Sequence, residues 1–212
     1  MSEIKNDVLV IDTDAWKKDL PAISKQIEIF SLVTEIHPAL KSRLPDFDFA
    51  NPPVNASEFA SSLVETCKKH NGLGLSANQC GYNYRVFVMG SGDEYVAFFN
   101  PKIISVSEET IRMEEGCLSY MDLFLNIERP STIEVEYQDF TGTTKTTKFA
   151  GLTARCFQHE LDHMNGIVYT VHMKPLALQM AIKKRSKLAE QRHKIQKMMI
   201  NKVKEKFNVK RF

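Results

Sequence analysis

The chain has 212 residues, 43% of them apolar and 25% charged, the proportions of a globular protein rather than of a disordered or collagen-like one. No run approaches 18 consecutive apolar residues, which excludes a membrane-spanning helix. The N-terminal stretch MSEIKNDVLVIDTDAW lacks a basic-then-apolar order and is rich in acids, so neither a signal peptide nor a transit peptide is expected, and a cytoplasmic location is. Cys67, Cys80, Cys117 and Cys156 lie 13, 37 and 39 residues apart. That is too few for a disulfide scaffold, which leaves thiols or metal ligands.

The formal net charge of +2 conceals an asymmetry. Residues 1–173 carry 15 Lys+Arg against 24 Asp+Glu, whereas residues 174–212 carry 13 against 2. The expected organisation is an acidic body, 1–173, and a basic helical extension, 174–212. Such a tail raises the prospect of a polyanionic partner.

In chain order, residues 22–36 place Ile23, Ile27, Phe30 and Val33/Thr34 at helical spacing, which predicts a helix. A loop punctuated by Pro38, Pro45, Pro52 and Pro53 follows over 37–55. Asn55, three residues before Glu58, has the form of a helix cap; Phe59, Leu63, Val64 and Cys67 then share a face, and Asn71-Gly72 stops the helix. From 84 to 150 short strands are expected at YRVFVMG, EYVAFFN, KIISVS, STIEVEYQ and TKTTKFA, which are rich in β-branched and aromatic residues. Gly151 opens a helix that ends at Asn165-Gly166, IVYT reads as a strand, and Pro175 suits the first turn of a last helix reaching about 206. Strands between helices without βαβ alternation indicate an α+β fold. Its mostly antiparallel sheet should pack around the central helix 152–165, with a long C-terminal helix beyond.

The chemistry concentrates in Gln158-His159-Glu160-Leu161-Asp162-His163. Positions four apart share a helix face, so His159 and His163 can direct two imidazoles at one ion. Glu160 is offset from them and can serve as a base without ligating, the logic of H-E-x-x-H metallohydrolases. The bland alternative is an amphipathic helix with solvated His and Glu. A catalytic ion needs a third protein ligand and an open position. Cys156 lies on the same helical face and Cys117 lies among the strands; if both bound, the site would be a closed Cys₂His₂ zinc site. Spacing alone leaves this open. Gly72-Leu73-Gly74-Leu75-Ser76-Ala77-Asn78-Gln79 is neither a phosphate loop nor a dinucleotide fingerprint, and on its own reads as a helix C-cap and turn.

Together GLGLSANQ (72–79), EGCLS (115–119) and QHELDH (158–163) resemble, in order and spacing, the three motifs of the peptide deformylases, over roughly residues 22–172. The resemblance implies metal ligation by Cys117, His159 and His163, with Cys156 lining a pocket. It implies Glu160 as the base, with the Gln79 side chain and the Leu118 backbone N–H as donors to the substrate oxygen. The inferred reaction is removal of formyl from N-formylmethionyl peptides. One divalent ion is expected: Fe²⁺ in the cell, Zn²⁺ or Ni²⁺ also in purified protein. The segment around Gly74 would offer backbone partners to an extended peptide. By position, Leu73, Met113, Leu152 and Cys156 are nominated to line a slot for the methionine side chain. Glu115, paired with Arg129, is expected beside it to support the Cys117 loop. Departures from the family pattern fall at Asn78, where many members have Pro, at Tyr120-Met121, where many have an apolar residue and Pro, and at Arg155, where an apolar pocket residue is expected.

The basic extension is expected either to be a solvated helix or to dock on the ribosome, and cutting it after about residue 174 to spare activity on small peptides. Two other readings compete. One is a different metallohydrolase such as a peptidase. The other is a zinc-stabilised RNA- or ribosome-binding module without catalysis, against which Glu160 and Gln79 weigh.

Overall fold

A computed structural model of the chain describes residues 27–208. Five strands form one antiparallel sheet in the order β1-β2-β3-β6-β7: β1 (Gly74–Ser76), β2 (Val86–Ser91), β3 (Glu94–Val106), β6 (Thr132–Gln138) and β7 (Thr144–Ala150). Between β3 and β6, β4 (Thr110–Cys117) and β5 (Tyr120–Pro130) pair as a separate antiparallel ribbon. Among the described residues, three α-helices complete the fold: α1 (Ala56–Lys69), α2 (Gly151–Met164) and α3 (Pro175–Asn208).

Strand alternation explains how the helices are placed. Successive strand side chains point to opposite faces. On β2, Val86 and Val88 join the core beneath α1, with Phe59, Leu63 and Cys67, whereas Phe87 and Met89 join the core beneath α2, with Ala154, Phe157 and Leu161. On β3, Ala97 and Phe99 take the α1 side, Val96 and Phe98 the α2 side. The sheet is therefore sandwiched between α1 and α2 at β2 and β3. Farther along, β6 buries only Ile133, Val135 and Tyr137. A third core joins Leu123, Leu125 and Ile127 of β5 to Leu40, Val168 and Tyr169, with Leu178 and Ala181 of α3 packed against it. Past Arg185, every α3 residue through Glu205 is exposed.

Several expectations change. Residues 27–36 form no helix; the rest of the expected helix, 22–26 with Ile23, lies outside the described residues. The backbone here is claimed by tertiary partners: Phe30 N–H donates to Thr66 Oγ1 (2.9 Å) and Val33 N–H to the Gln79 carbonyl (2.8 Å). GLGLS contains a strand, β1, rather than a cap and turn alone, and it is Asn71, with φ of 54°, that takes the left-handed conformation after α1. EYVAFFN and KIISVS run as one bulged strand through Pro101. The β4–β5 ribbon was not expected at all. IVYT is not a strand: residues Tyr169–His172 form a 3₁₀ turn, with Tyr169 Oη donating to the Leu123 carbonyl at 2.7 Å. The Asn55 cap is present, its side chain accepting from Glu58 N–H at 3.0 Å.

Candidate metal centre

Helix α2 is buried almost all round, although it carries Arg155, Gln158, His159, Glu160 and His163. Buried polar and ionisable side chains are rare unless paired or functional. The helix leaves β7 through Gly151, whose φ of 56° suits a residue without a Cβ. It ends at Asn165-Gly166, as expected.

His159 and His163 sit one turn apart on α2, and Cys117 ends β4. Cys117 Sγ lies 3.4 Å from His163 Nε2, and the donor atoms of Cys117, His159 and His163 all lie within 4.8 Å of one another. That spacing and the one-sulfur, two-imidazole donor set fit a single transition-metal ion. Electrostatics agree. Burial alone would lower the His159 pKa, but the Cys117 sulfur and the Glu115 carboxylate reverse this and raise it to about 10. A positive charge is thus favoured at His159, beside the Cys117 sulfur and the Glu115 carboxylate. His163 is held well below its usual value by burial and by the positive His159 and Arg129 nearby.

Glu115 organises the surroundings. Its carboxylate accepts from Arg129 Nε (2.6 Å), Arg129 Nη2 (3.0 Å) and Arg155 Nη1 (2.6 Å), and lies 3.1 Å from His159 Nδ1. Burial opposes ionisation, yet His159 and Arg129 hold the carboxyl far below the usual range. The expected Glu115–Arg129 pair therefore exists, and it also orients an imidazole, as partners behind metal-ligating histidines do. Arg155, where an apolar residue was expected, belongs to this network; its guanidinium also donates to the Ile127 and Ile111 carbonyls. Asn78 donates to the carbonyls of His163 (3.0 Å) and Ala39 (3.2 Å), tying the end of α2 to the loop before α1.

Glu160 is buried beside the trio and accepts from Ser76 Oγ at 2.6 Å. Burial raises its pKa, while His159 and the Ser76 hydroxyl act the other way. Gln79 accepts from Ser76 N–H (2.9 Å) and directs Nε2 at Cys117 Sγ (3.3 Å) and Ser119 Oγ (3.4 Å). A Cβ on Gly74 would collide with the Glu160 carboxylate, so glycine there follows from how closely β1 approaches the acid.

These groups open on a cavity of about 850 Å³. Leu73, Gly74, Gln79, Glu115, Cys117, Leu118, Leu152, Cys156, His159 and Glu160 line it, as do Arg155 and, from α3, Arg185. Of the nominated pocket residues, Met113 is not among the lining residues; it lies on β4 opposite Ile127. Cys156 is buried a full turn before Glu160, and its thiol is pushed well above its usual value by burial and by the nearby carboxylates. Sequence reasoning assigned no role to Ser76 and counted Arg185 only with the basic residues of the C-terminal extension. Ser76 lay inside a quoted motif, but nothing local linked Arg185 to the cavity.

Comparison with known proteins agrees with this geometry. The family described as polypeptide deformylase matches residues 29–179. The peptide deformylase of Thermotoga neapolitana is 42% identical over 123 residues, 58% of this chain and 74% of that protein. The Brucella suis peptide deformylase is 39% identical over 140 residues, 64% of this chain and 80% of that protein. Among solved structures, the Thermotoga maritima peptide deformylase superposes with a TM-score of 0.65 at 36% identity, covering 70% of this chain and 99% of that one. The Ehrlichia chaffeensis enzyme in complex with actinonin gives 0.68 at 31% identity, covering 76% and 97%. The chain belongs to the polypeptide deformylase family and is, with it, a metal-dependent hydrolase.

Proposed function

We propose that this chain hydrolyses the formyl group from N-formylmethionyl nascent polypeptides, releasing formate and a free amino terminus. The carrying observation is the Cys117–His159–His163 trio with Glu160 buried beside it on one cavity. Cys117, His159 and His163 would hold one divalent ion. When bound, such an ion lowers the pKa of water toward about 7 and polarises a carbonyl.

The chain's own groups account for the rest. Glu160, its pKa raised by burial, takes a proton from the attacking water and passes it to the departing nitrogen. The water oxygen bonds to the formyl carbon as the carbonyl π pair moves onto the formyl oxygen; when that pair returns, the carbon–nitrogen bond breaks and the nitrogen leaves with the proton from Glu160. Negative charge builds on the formyl oxygen, where the Gln79 amide and the Leu118 backbone N–H donate; losing one such donor typically costs about 10²–10³ in rate. Glu115 fixes the ring of His159. Leu73, Leu152 and Cys156 form the apolar side of the slot for methionine, and Gly74 leaves β1 open to an extended peptide.

Finer assignments follow the same reading. Thiolate-plus-imidazole ligation accommodates Fe²⁺ in the cell and Zn²⁺ or Ni²⁺ after purification. The four cysteines are free, which suits a reducing, cytoplasmic setting. The exposed basic run of α3 suits contact with ribosomal RNA.

The test is formate release from a formylated methionyl peptide, set against cleavage of the same peptide with a free amino terminus. Turnover of the formylated peptide alone is expected. Peptide-bond cleavage of the unformylated one would indicate a peptidase, and no turnover of either, with metal bound, would reject catalysis.

A further inference from the structure

The cavity has one wall with no secondary structure of its own. Residues 27–34 form neither helix nor strand, yet Leu32, Val33, Thr34 and Glu35 line the cavity together with residues of α2. Three attachments place this wall. Val33 N–H donates to the Gln79 carbonyl (2.8 Å), so the wall is tied to the residue proposed above to donate to the substrate oxygen. Tyr120 Oη donates to the Glu35 carbonyl (3.1 Å), which gives one of the family departures a task. The third comes from 150 residues away: Arg185 of α3 holds the Glu35 carboxylate in a fork, Nη1 to Oε2 at 2.6 Å and Nη2 to Oε1 at 3.2 Å. Arg185 itself lines the cavity and is the last partly buried residue of α3 among those described.

We infer that Arg185 is a positioning residue for the peptide substrate: by clamping Glu35, the C-terminal helix holds the 32–35 wall against the cavity and so sets substrate affinity. A planar guanidinium bound by two parallel contacts fixes direction as well as distance, which a lysine cannot do. The clamp is partly exposed, so its effect is modest and sensitive to salt. It reaches the wall rather than the proton-transfer groups, so it acts on KM more than on kcat. The extension is then part of the substrate site at its near end, whatever its far end binds.

The inference rests on the deformylase reading, and wild-type turnover of a formylated peptide checks that reading separately. The variants are Arg185→Ala, Arg185→Lys, Glu35→Gln, the Glu35→Gln/Arg185→Ala double variant and the swapped pair Glu35→Arg/Arg185→Glu. Each is measured as metal-loaded, full-length protein on an uncharged formylated peptide, and again on peptides carrying one acidic or one basic residue.

On the uncharged peptide, Arg185→Ala and Glu35→Gln should each raise KM by roughly three- to fivefold with kcat within about twofold. Arg185→Lys should fall between wild type and Arg185→Ala. The double variant should be no worse than either single one, and the swapped pair should recover part of the loss. Unchanged KM in both single variants would overturn the inference. So would additive losses without recovery in the swapped pair. Opposite shifts of the two variants, seen only on charged peptides, would also overturn it, because they would mean direct charge contact with substrate rather than support of the wall.

Discussion

Ser76 Oγ lies 2.6 Å from Glu160 Oε2, so the carboxylate proposed to move the proton receives a neutral hydrogen bond from the strand next to it. Burial raises the Glu160 pKa and this hydroxyl lowers it. Ser76→Ala removes the lowering contribution, so the pKa must rise further and the ionised base must be lost at a higher pH. The acid limb of the pH profile of kcat/KM is expected to move upward in that variant. An acid limb that stays in place or moves down would show that Glu160 is not the group titrating there.

Glu160→Gln is the sharper change. The carboxylate is offset from the three ligand atoms, so the variant should retain one metal per chain. Proton transfer by a positioned side chain is worth about 10²–10⁴ in rate; with Glu160 proposed to serve both transfers, the loss should lie at the upper end. Metal content by elemental analysis, with single-turnover formate release, separates the two effects. Near-wild-type turnover in a metal-loaded variant would remove Glu160 from its role.

Gly74→Ala tests the close approach of β1 to α2. The new methyl would meet the Glu160 carboxylate and its side-chain carbons, so the buried acid would have to move from its place beside β1. Overpacking of this kind costs about 1–3 kcal/mol. The expected outcome is a folded, metal-binding protein with reduced kcat and a lower melting temperature. Unchanged kcat would mean that the acid relaxes without leaving its working position.

The residues of the site were more legible in the sequence than the fold that holds them. His159 and His163 are four apart on a helix, and that geometry survives any tertiary detail. Cys117 needed the resemblance, because helical spacing favoured Cys156 equally. The β4–β5 ribbon was missed although Leu123, Leu125 and Ile127 alternate with exposed Phe124, Asn126 and Glu128. Its partner strand TIRMEEGC carries charges that mask the alternation. The expected helix over 22–36 had the right period at Ile27, Phe30 and Val33, but in 27–36 Thr66 and Gln79 take the backbone N–H groups of Phe30 and Val33. No local pattern reports such long-range hydrogen bonds, and none reports the Glu35–Arg185 pair.

The open-site assignment separates the two cysteine candidates, half-buried Cys117 and buried Cys156. Cys117→Ala removes the sulfur ligand proposed here, and stoichiometric metal binding and activity should be lost together. Cys156 lines the cavity without belonging to the trio. Cys156→Ala should keep one metal per chain and alter chiefly KM for methionyl peptides. Metal loss from the Cys156 variant would favour a closed structural site.

The basic extension calls for a cut different from the one the charge boundary at 174 suggests. Removing everything after 174 would strip Leu178 and Ala181 from the third core and Arg185 from Glu35. A cut after Arg192 keeps those contacts and the Arg192–Asp122 pair at 2.6 Å. It still removes Lys194, Lys197, Lys202, Lys204, Lys206, Lys210 and Arg211, against the single acid Glu205. The exposed stretch from Ser186 to Glu205 rises about 1.5 Å per residue, long enough for several phosphate contacts at once. Each neutralised phosphate releases counterions, so binding to ribosomes should weaken steeply as salt rises. The shortened protein is expected to deformylate small peptides with nearly wild-type kcat and KM. Its co-sedimentation with ribosomes at low salt should fall, and the remaining binding should depend less on salt. Equal co-sedimentation of the two proteins would reject docking through this helix. A raised KM for small peptides after this cut would show that the distal turns, and not Arg185 alone, hold the cavity wall.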